Sequence, residues 1–245
     1  MYWNDYFWFL GAIALCMIFS IYASTKVNSA FRKYNHVANR SGMTGYDTAV
    51  RLMRSNDVQG ISIGRVQGQL SDHYHPAKKI VNLSESTYGS NSVAAVAVAA
   101  HEMGHVMQKK DGYLFYRLRT ALVPVVNFGS RLAMPLVLIG LLIDLFASTA
   151  NPDVGFYIAL VGVVLYGASF LFALITLPVE LNASKRAKKM LVAEGILTKD
   201  ELSGASEVLS AAALTYLASL LTSLVYFLRF LVYVLTIFGR RNNRR

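Results

Sequence analysis

Residues 91–110 read NSVAAVAVAAHEMGHVMQKK and contain an HExxH motif between His101 and His105. The alanine and valine run before the motif could be a buried strand or a buried helix by periodicity alone. Its high alanine content and its continuation beyond the motif favour a helix of about 18 residues. Ser90 or Ser92 is a candidate N-cap, so we predict a helix over 91–110.

The two histidines of this motif have the spacing that a bound zinc ion requires. On a helix, His101 and His105 lie one turn apart on the same face, and two imidazoles so placed can reach one Zn²⁺ at about 2.0–2.1 Å each. Glu102 lies beside them and is the predicted general base that takes a proton from zinc-activated water. A structural histidine pair is the alternative, but these polar groups would be costly to bury in an apolar helix without a metal. The motif therefore predicts one Zn²⁺ per chain.

A catalytic zinc takes three protein ligands and keeps one position open. The single cysteine, Cys16, lies in an apolar run and is excluded. Glu180 is the strongest third candidate, because it follows Pro178 at what we expect to be a helix start. Ala183 and Ala187 share its face and are small enough to pack closely against the zinc helix. The alternative role for Glu180 is a carboxylate favoured by a helix N-terminus.

The rest of the chain has the composition of a membrane protein. Hydrophobic residues make up 54% and charged residues 16%, below the roughly 25% of an ordinary soluble domain. Four runs are long enough to span a bilayer, which takes about 20 residues: 6–25, 132–150 with only Asp144, 154–177, and 208–239 with only Arg229. A net charge of +10 then indicates basic cytoplasmic loops rather than a nucleic-acid partner.

These features predict a mainly helical α+β protein with a zincin-like minimal catalytic unit. That unit comprises a small sheet, with strands predicted at 60–64 and 79–83, and the HExxH helix, and it is combined with three to four membrane-embedded helices. We divide the chain into five segments: a signal anchor at 1–25, a cytoplasmic zincin-like unit at 26–119, a transmembrane hairpin at 120–177, a third-ligand helix and exposed turn at 178–207, and an apolar C-terminal helix with a basic tail at 208–245.

The distribution of Lys and Arg predicts the orientation in the cell membrane. Basic residues follow the first span and precede the second, whereas the turn at 144–153 has two aspartates and no basic residue. The positive-inside rule then places the amino terminus outside and the zinc site on the cytoplasmic side. Four full crossings would put the terminal arginines outside, and three crossings with a final helix that stays on one side would keep them inside. The sequence leaves both arrangements open.

Several stretches resemble the YugP-like neutral zinc metallopeptidases of bacterial membranes. They include LSDHYHP at 70–76, SVAA into HEMGH at 92–105, and LPVE at 177–180, and the resemblance covers nearly the whole chain. The family is similar, at a distance, to the membrane gluzincins, which implies a Glu third ligand in an ExxAD pattern. Here 180–184 reads ELNAS. Asn182 stands where the resemblance leads us to expect Asp, and His75 also replaces an expected Asp, which would weaken the hydrogen bonds around the ligands.

Other polar residues have two readings each. Asp72 and His73 could contact substrate or stabilise a tetrahedral intermediate, but a hydrogen-bonded turn closed by Pro76 is the reading we favour. Asn182 and Ser184 could orient a zinc ligand or cap a helix. The strand at 79–83 could bind an extended peptide by edge pairing or serve only as core.

The predicted function is a membrane-embedded zinc endopeptidase that hydrolyses peptide or protein substrates, membrane proteins among them. The alternative is a non-enzymatic membrane scaffold that retains a structural zinc, which would need a fourth ligand such as His73. A transporter that uses intramembrane His and Glu is weaker, because the spans are few. An oligomer or a membrane partner cannot be read from the sequence.

Overall fold

The computed structural model describes residues 2–146 and 154–242. Most of the predicted polar turn, 147–153, and the last three residues of the basic tail lie outside the described residues. The elements in chain order are α1 (Tyr2–Asn35), α2 (Gly45–Ser55), β1 (Ser62–Val66), β2 (His73–His75), β3 (Ile80–Ser84), α3 (Glu85–Tyr88), α4 (Val93–Lys110), α5 (Leu114–Phe146), α6 (Val154–Ala193) and α7 (Lys199–Asn242). The prediction of a mainly helical chain with one small sheet is confirmed.

Four of the helices are apolar and long enough to cross a membrane. They cover Phe7–Asn35, Leu114–Ile143, Val154–Ala193 and Lys199–Thr236. Large apolar side chains such as Phe7, Trp8 and Leu15 are exposed along α1, which is the pattern of a lipid-facing helix. These helices indicate a membrane protein.

The described residues divide into two compact units. The first comprises those within 1–20, 118–176 and 217–245, and the second comprises 21–117 and 177–216. In the first unit α5 and α6 pack through small residues. A Cβ added at Gly140 would lie 2.5 Å from the Gly155 carbonyl oxygen, and one at Gly162 would lie 2.6 Å from that of Ala133. Such close backbone approach is how membrane helices associate.

Helix α6 corrects the prediction that a helix begins at Pro178. Pro178 lies inside this 40-residue helix, which at 1.5 Å per residue is about 60 Å long. Proline removes one backbone hydrogen bond and is tolerated in long membrane helices, where neighbouring groups compensate for the loss. Glu180 therefore lies in a helix interior, and the helix-terminus role for its carboxylate is wrong.

The link between α6 and α7 is shorter and less exposed than predicted. Helix α6 ends at Ala193 and α7 begins at Lys199, so the link covers only 194–198, and the C-terminal helix begins before the predicted residue 208. Ile196 and Leu197, within this link, are buried in the core of the second unit. Their apolar side chains explain why the turn folds inward.

The sheet lies in the second unit with the strand order β1-β3-β2. Strand β1 pairs with β3 in parallel, and β2 pairs with β3 in the antiparallel sense. The two predicted strands are present but begin two residues and one residue later than expected, and a third strand occupies the predicted turn at 71–76. Since β3 is paired on both sides, the prediction that residues 79–83 could bind a peptide by edge pairing is wrong.

Helix α4 forms the centre of the second unit's core. Its N-cap is Ser92, whose hydroxyl accepts a hydrogen bond from the Ala95 N–H at 3.1 Å, so one of the two predicted caps is confirmed. Its apolar face packs with residues of α2, β3, α6 and α7. This packing holds the HExxH motif in a largely buried helix.

Candidate metal centre

The two motif histidines face one carboxylate that comes from another helix. His101 and His105 lie on one face of α4, with ring centroids 4.8 Å apart and ring planes at 87°. Glu180 of α6 has only 2% of its side chain exposed. Its Oε2 lies 3.1 Å from His101 Nε2 and 3.5 Å from His105 Nε2.

These three side chains fit a zinc ion. One ligand atom from each lies within 4.8 Å of the other two. In a tetrahedral site with bonds of about 2.0–2.1 Å, neighbouring ligand atoms are about 3.3–3.4 Å apart, which agrees with the two observed distances to Glu180 Oε2. Two imidazoles and a carboxylate are also one of the donor sets of catalytic zinc. In the described part of the chain, no fourth His, Cys, Asp or Glu joins this group.

Close packing of α4 against α6 brings the carboxylate to the histidines. A Cβ added at Gly104 would lie 2.6 Å from the Ala183 carbonyl oxygen, so only glycine allows this approach. Ala183 and Ala187 are fully buried, as expected for small residues at a helix contact. The glycine of the motif therefore sets the distance between the two ligand-bearing helices.

The second nitrogen of each imidazole has a hydrogen-bond partner. His101 Nδ1 lies 3.1 Å from Ser184 Oγ, and His105 Nδ1 lies 3.0 Å from Gln108 Oε1. Both Nε2 atoms are thereby directed toward Glu180, as is usual for metal-binding histidines. Ser184 was a sequence candidate, whereas Gln108 was missed. The available signal was a polar, uncharged side chain three residues after His105, directly after the apolar Val106 and Met107.

Asn182 lies behind Gln108 rather than against a histidine. Its Oδ1 is 3.0 Å from Gln108 Nε2 and 2.8 Å from Arg186 Nε, and Arg186 also pairs with Asp111. The amide of Asn182 thus accepts hydrogen bonds from both residues, which is a role that the aspartate expected at this position could also fill.

Glu102 lies next to the ligand cluster in a buried position. The pKa of its carboxyl is raised to about 7, chiefly by burial; His101 and the backbone N–H of Tyr74 act to lower it, and the carboxylates of Glu180 and Asp72 act to raise it. The protonated and ionised forms of Glu102 are therefore close in free energy near neutral pH, as a proton-transferring group requires.

Asp72 and His73 make hydrogen bonds within the sheet. The Asp72 carboxylate accepts from the Ser84 N–H at 2.7 Å and from the Ser84 hydroxyl at 2.8 Å. His73 is exposed; its Nδ1 lies 2.9 Å from the Ser71 carbonyl oxygen and its Nε2 lies 3.0 Å from Asn82 Nδ2. These contacts favour a role in holding the sheet together over a substrate contact, and His73 is not among the clustered ligands. His75, likewise, accepts a hydrogen bond from the Lys78 N–H.

Comparison with known proteins identifies a family whose description names zinc. Residues 9–235 match the model of the family described as "Putative neutral zinc metallopeptidase". The "Putative membrane protease YugP" of Bacillus subtilis (strain 168) is 42% identical over 210 residues, covering 86% of this chain and 88% of that protein. No solved structure matches the chain significantly. The family resemblance seen in the sequence is confirmed: the chain belongs to the neutral zinc metallopeptidase family that the match describes.

Proposed function

We propose that this protein is a membrane-embedded, zinc-dependent endopeptidase. The observation that carries the proposal is the convergence of His101, His105 and Glu180, with their ligand atoms within 4.8 Å of one another, beside the buried carboxylate of Glu102. The family and the membrane protease relative support zinc as the metal and peptide hydrolysis as the reaction. The small sheet and the HExxH helix together would act as a zincin-like unit.

The side chains of the site divide the chemistry between them. His101, His105 and Glu180 would hold the metal, and a bound zinc supplies Lewis-acid polarisation and an acidified water. Glu102 takes the proton as the nucleophile attacks the peptide carbonyl, and then delivers it to the departing amine. Such general acid–base transfer contributes typically about 10²–10⁴-fold to the rate.

Strand β2 offers a place for an extended substrate. It lies at one edge of the sheet, and the backbone N–H of its central residue, Tyr74, lies close enough to Glu102 to lower the pKa of that carboxyl. A peptide that paired with this edge would run past the general base. Peptides or extended segments of proteins, membrane proteins among them, are the substrates we propose.

The site is assigned to the cytoplasmic side of the cell membrane. The basic residues that flank the first and second spans support this orientation. The four apolar helices support a multi-pass protein, with the second unit carrying the zinc site.

A scaffold with a structural zinc is the competing function. Structural sites are closed by four protein ligands, and three cluster here among the described residues. A structural site also has no use for a buried carboxylate such as Glu102 beside its ligands, because that group costs free energy to desolvate.

Zinc content and proteolysis, measured together, test the proposal. The full chain is purified in detergent, loaded with zinc and incubated with unfolded casein at neutral pH. Glu102→Gln should keep stoichiometric zinc and lose about 10²–10⁴-fold in rate, whereas His101→Ala should lose both zinc and activity. Glu85→Gln, an exposed carboxylate in α3, serves as the matched control. Cleavage by Glu102→Gln at the parent rate would contradict the mechanism.

A further inference from the structure

A fully buried glutamine contacts one of the two histidines. Gln108 lies three residues after His105 on α4 and has no exposed surface. Its Oε1 lies 3.0 Å from His105 Nδ1. A buried amide must satisfy both its carbonyl and its NH₂ group, so its orientation has consequences for the imidazole.

The surroundings of Gln108 admit one orientation of its amide. Its Nε2 lies 2.7 Å from the Val179 carbonyl oxygen, which can only accept a hydrogen bond, so the NH₂ group must face Val179. The Gln108 carbonyl oxygen then faces His105, and Nδ1 of His105 must donate to it. In the neutral imidazole this leaves the lone pair on Nε2, the atom that faces Glu180.

Residues of α6 hold the amide in this orientation from its other side. Asn182 Oδ1 accepts from Gln108 Nε2 at 3.0 Å and from Arg186 Nε at 2.8 Å. An arginine has no acceptor, so Arg186 fixes the carbonyl of Asn182, which in turn requires a donor from Gln108. Asp111 pairs with Arg186 at the outer end of this chain of contacts.

The other histidine has no such constraint. His101 Nδ1 contacts the hydroxyl of Ser184, which can rotate to donate or accept. The Nε2 of His101 is also the nearer of the two to Glu180, at 3.1 Å against 3.5 Å. A carboxylate favours protonation of the imidazole nitrogen that faces it. Without Gln108, Glu180 would therefore favour the proton on His105 Nε2, and a protonated Nε2 has no lone pair with which to bind the metal.

We propose that Gln108 is a positioning residue that fixes His105 in the Nδ1–H tautomer, and that Asn182 and Arg186 orient Gln108 for this task. The proposal rests on the proposed function, because it treats His105 Nε2 as a metal ligand. Asn182, at the position where an aspartate was expected, would thus influence metal binding through Gln108 and would not contact the substrate.

Zinc affinity tests the proposal on the detergent-solubilised full chain by competition with a chromophoric chelator. Gln108→Met keeps the side-chain volume and removes the amide, and should weaken zinc binding about 10–100-fold. Asn182→Ala should weaken it by a smaller factor and should have no further effect in the Gln108→Met background, since both act through one contact. Gln67→Met, the same change at an exposed site, should leave the affinity unchanged.

A spectroscopic readout separates a tautomer effect from a loss of packing. With ¹⁵N-labelled histidine in zinc-stripped protein at alkaline pH, we expect the His105 proton on Nδ1 in the parent and a shift toward Nε2 in Gln108→Met and, in part, Asn182→Ala. Unchanged zinc affinity in Gln108→Met, additive losses in the double variant, or an unchanged proton position would each overturn the proposal. Absence of zinc binding by the parent would instead contradict the proposed function, while the proton position would still test the role of Gln108.

Discussion

Glu180 is the side chain that converts a histidine pair into a three-ligand site. It is almost completely buried on α6, and both imidazole Nε2 atoms lie within 3.5 Å of its Oε2. An amide oxygen is a far weaker zinc ligand than a carboxylate. Glu180→Gln should therefore lower zinc affinity by at least about 10-fold, a change that equilibrium dialysis with zinc would measure. Glu194→Gln, which alters an ion pair with Arg51, is the matched control and should bind zinc as the parent does. Equal affinity of Glu180→Gln and the parent would remove Glu180 from the ligand set.

A substitution of Asp72 can show whether this residue stabilises the fold or binds the substrate. Its carboxylate holds the backbone and hydroxyl of Ser84 with two hydrogen bonds. Asp72→Ala should lower the free energy of unfolding by about 1–3 kcal/mol, detectable as a lower denaturation midpoint, and should leave zinc content intact. If stability is unchanged while KM for casein rises, Asp72 is a substrate contact instead.

Among individual residues, the sequence predicts those whose role depends only on their separation along the chain. The i, i+4 relation of His101 and His105 follows from the helix alone. Gln108 could not be predicted in the same way, because its role depends on the Val179 carbonyl, a group on another helix that carries no sequence signal. For Ser184 the sequence left open whether it orients a zinc ligand or caps a helix; it lies in the interior of α6, with its Oγ 3.1 Å from His101 Nδ1.

The crossing of α4 and α6 is the structural element on which the site depends. Gly104 permits it, since an added Cβ would lie 2.6 Å from the Ala183 carbonyl oxygen. Gly104→Ala should separate the helices by some tenths of an ångström, cost about 1–3 kcal/mol of stability and weaken zinc binding. Gly11→Ala in α1, where an added Cβ meets nothing within 4 Å, is the control and should be neutral or slightly stabilising. Thermal unfolding and zinc competition measure both effects, and a Gly104→Ala protein indistinguishable from the parent would show that the crossing is not tight.

The elements themselves were predictable to different degrees for physical reasons. Thr44 and Asp47 have the spacing of a capping box in the sequence, and helix α2 begins directly after Thr44, with the side chain of each residue bonded to the other's backbone. The predicted strands started one or two residues too early, because alternation over five residues does not define where a strand begins. The pairing between β1 and β3 sets those limits. The prediction of a helix start at Pro178 was wrong because proline, although it is common in the first turn of a helix, is also tolerated in the interior of a long membrane helix.

For the molecule as a whole, hydropathy predicts which helices are apolar but not how far they extend. The apolar run at 154–177 is the membrane-length part of a 40-residue helix, and its polar continuation carries Glu180, Ser184 and Arg186. A single helix can therefore include both a candidate span and one side of the metal centre. The orientation of α6 in a membrane would therefore decide the compartment in which the proposed site works.

The orientation predicted from the basic residues can be measured by cysteine labelling in intact cells. In a Cys16→Ala background, which removes the single native thiol, Thr149→Cys should react with a membrane-impermeant maleimide, because the turn at 144–153 carries no Lys or Arg and is expected outside. Lys78→Cys, at an exposed position of the second unit, should react only after the cells are permeabilised, because the basic segment that contains it is expected inside. The cysteine-free parent gives the background in both conditions. Strong labelling at position 78 in intact cells, with none at position 149, would mean that the metal centre faces the outside and that its substrates must be sought there.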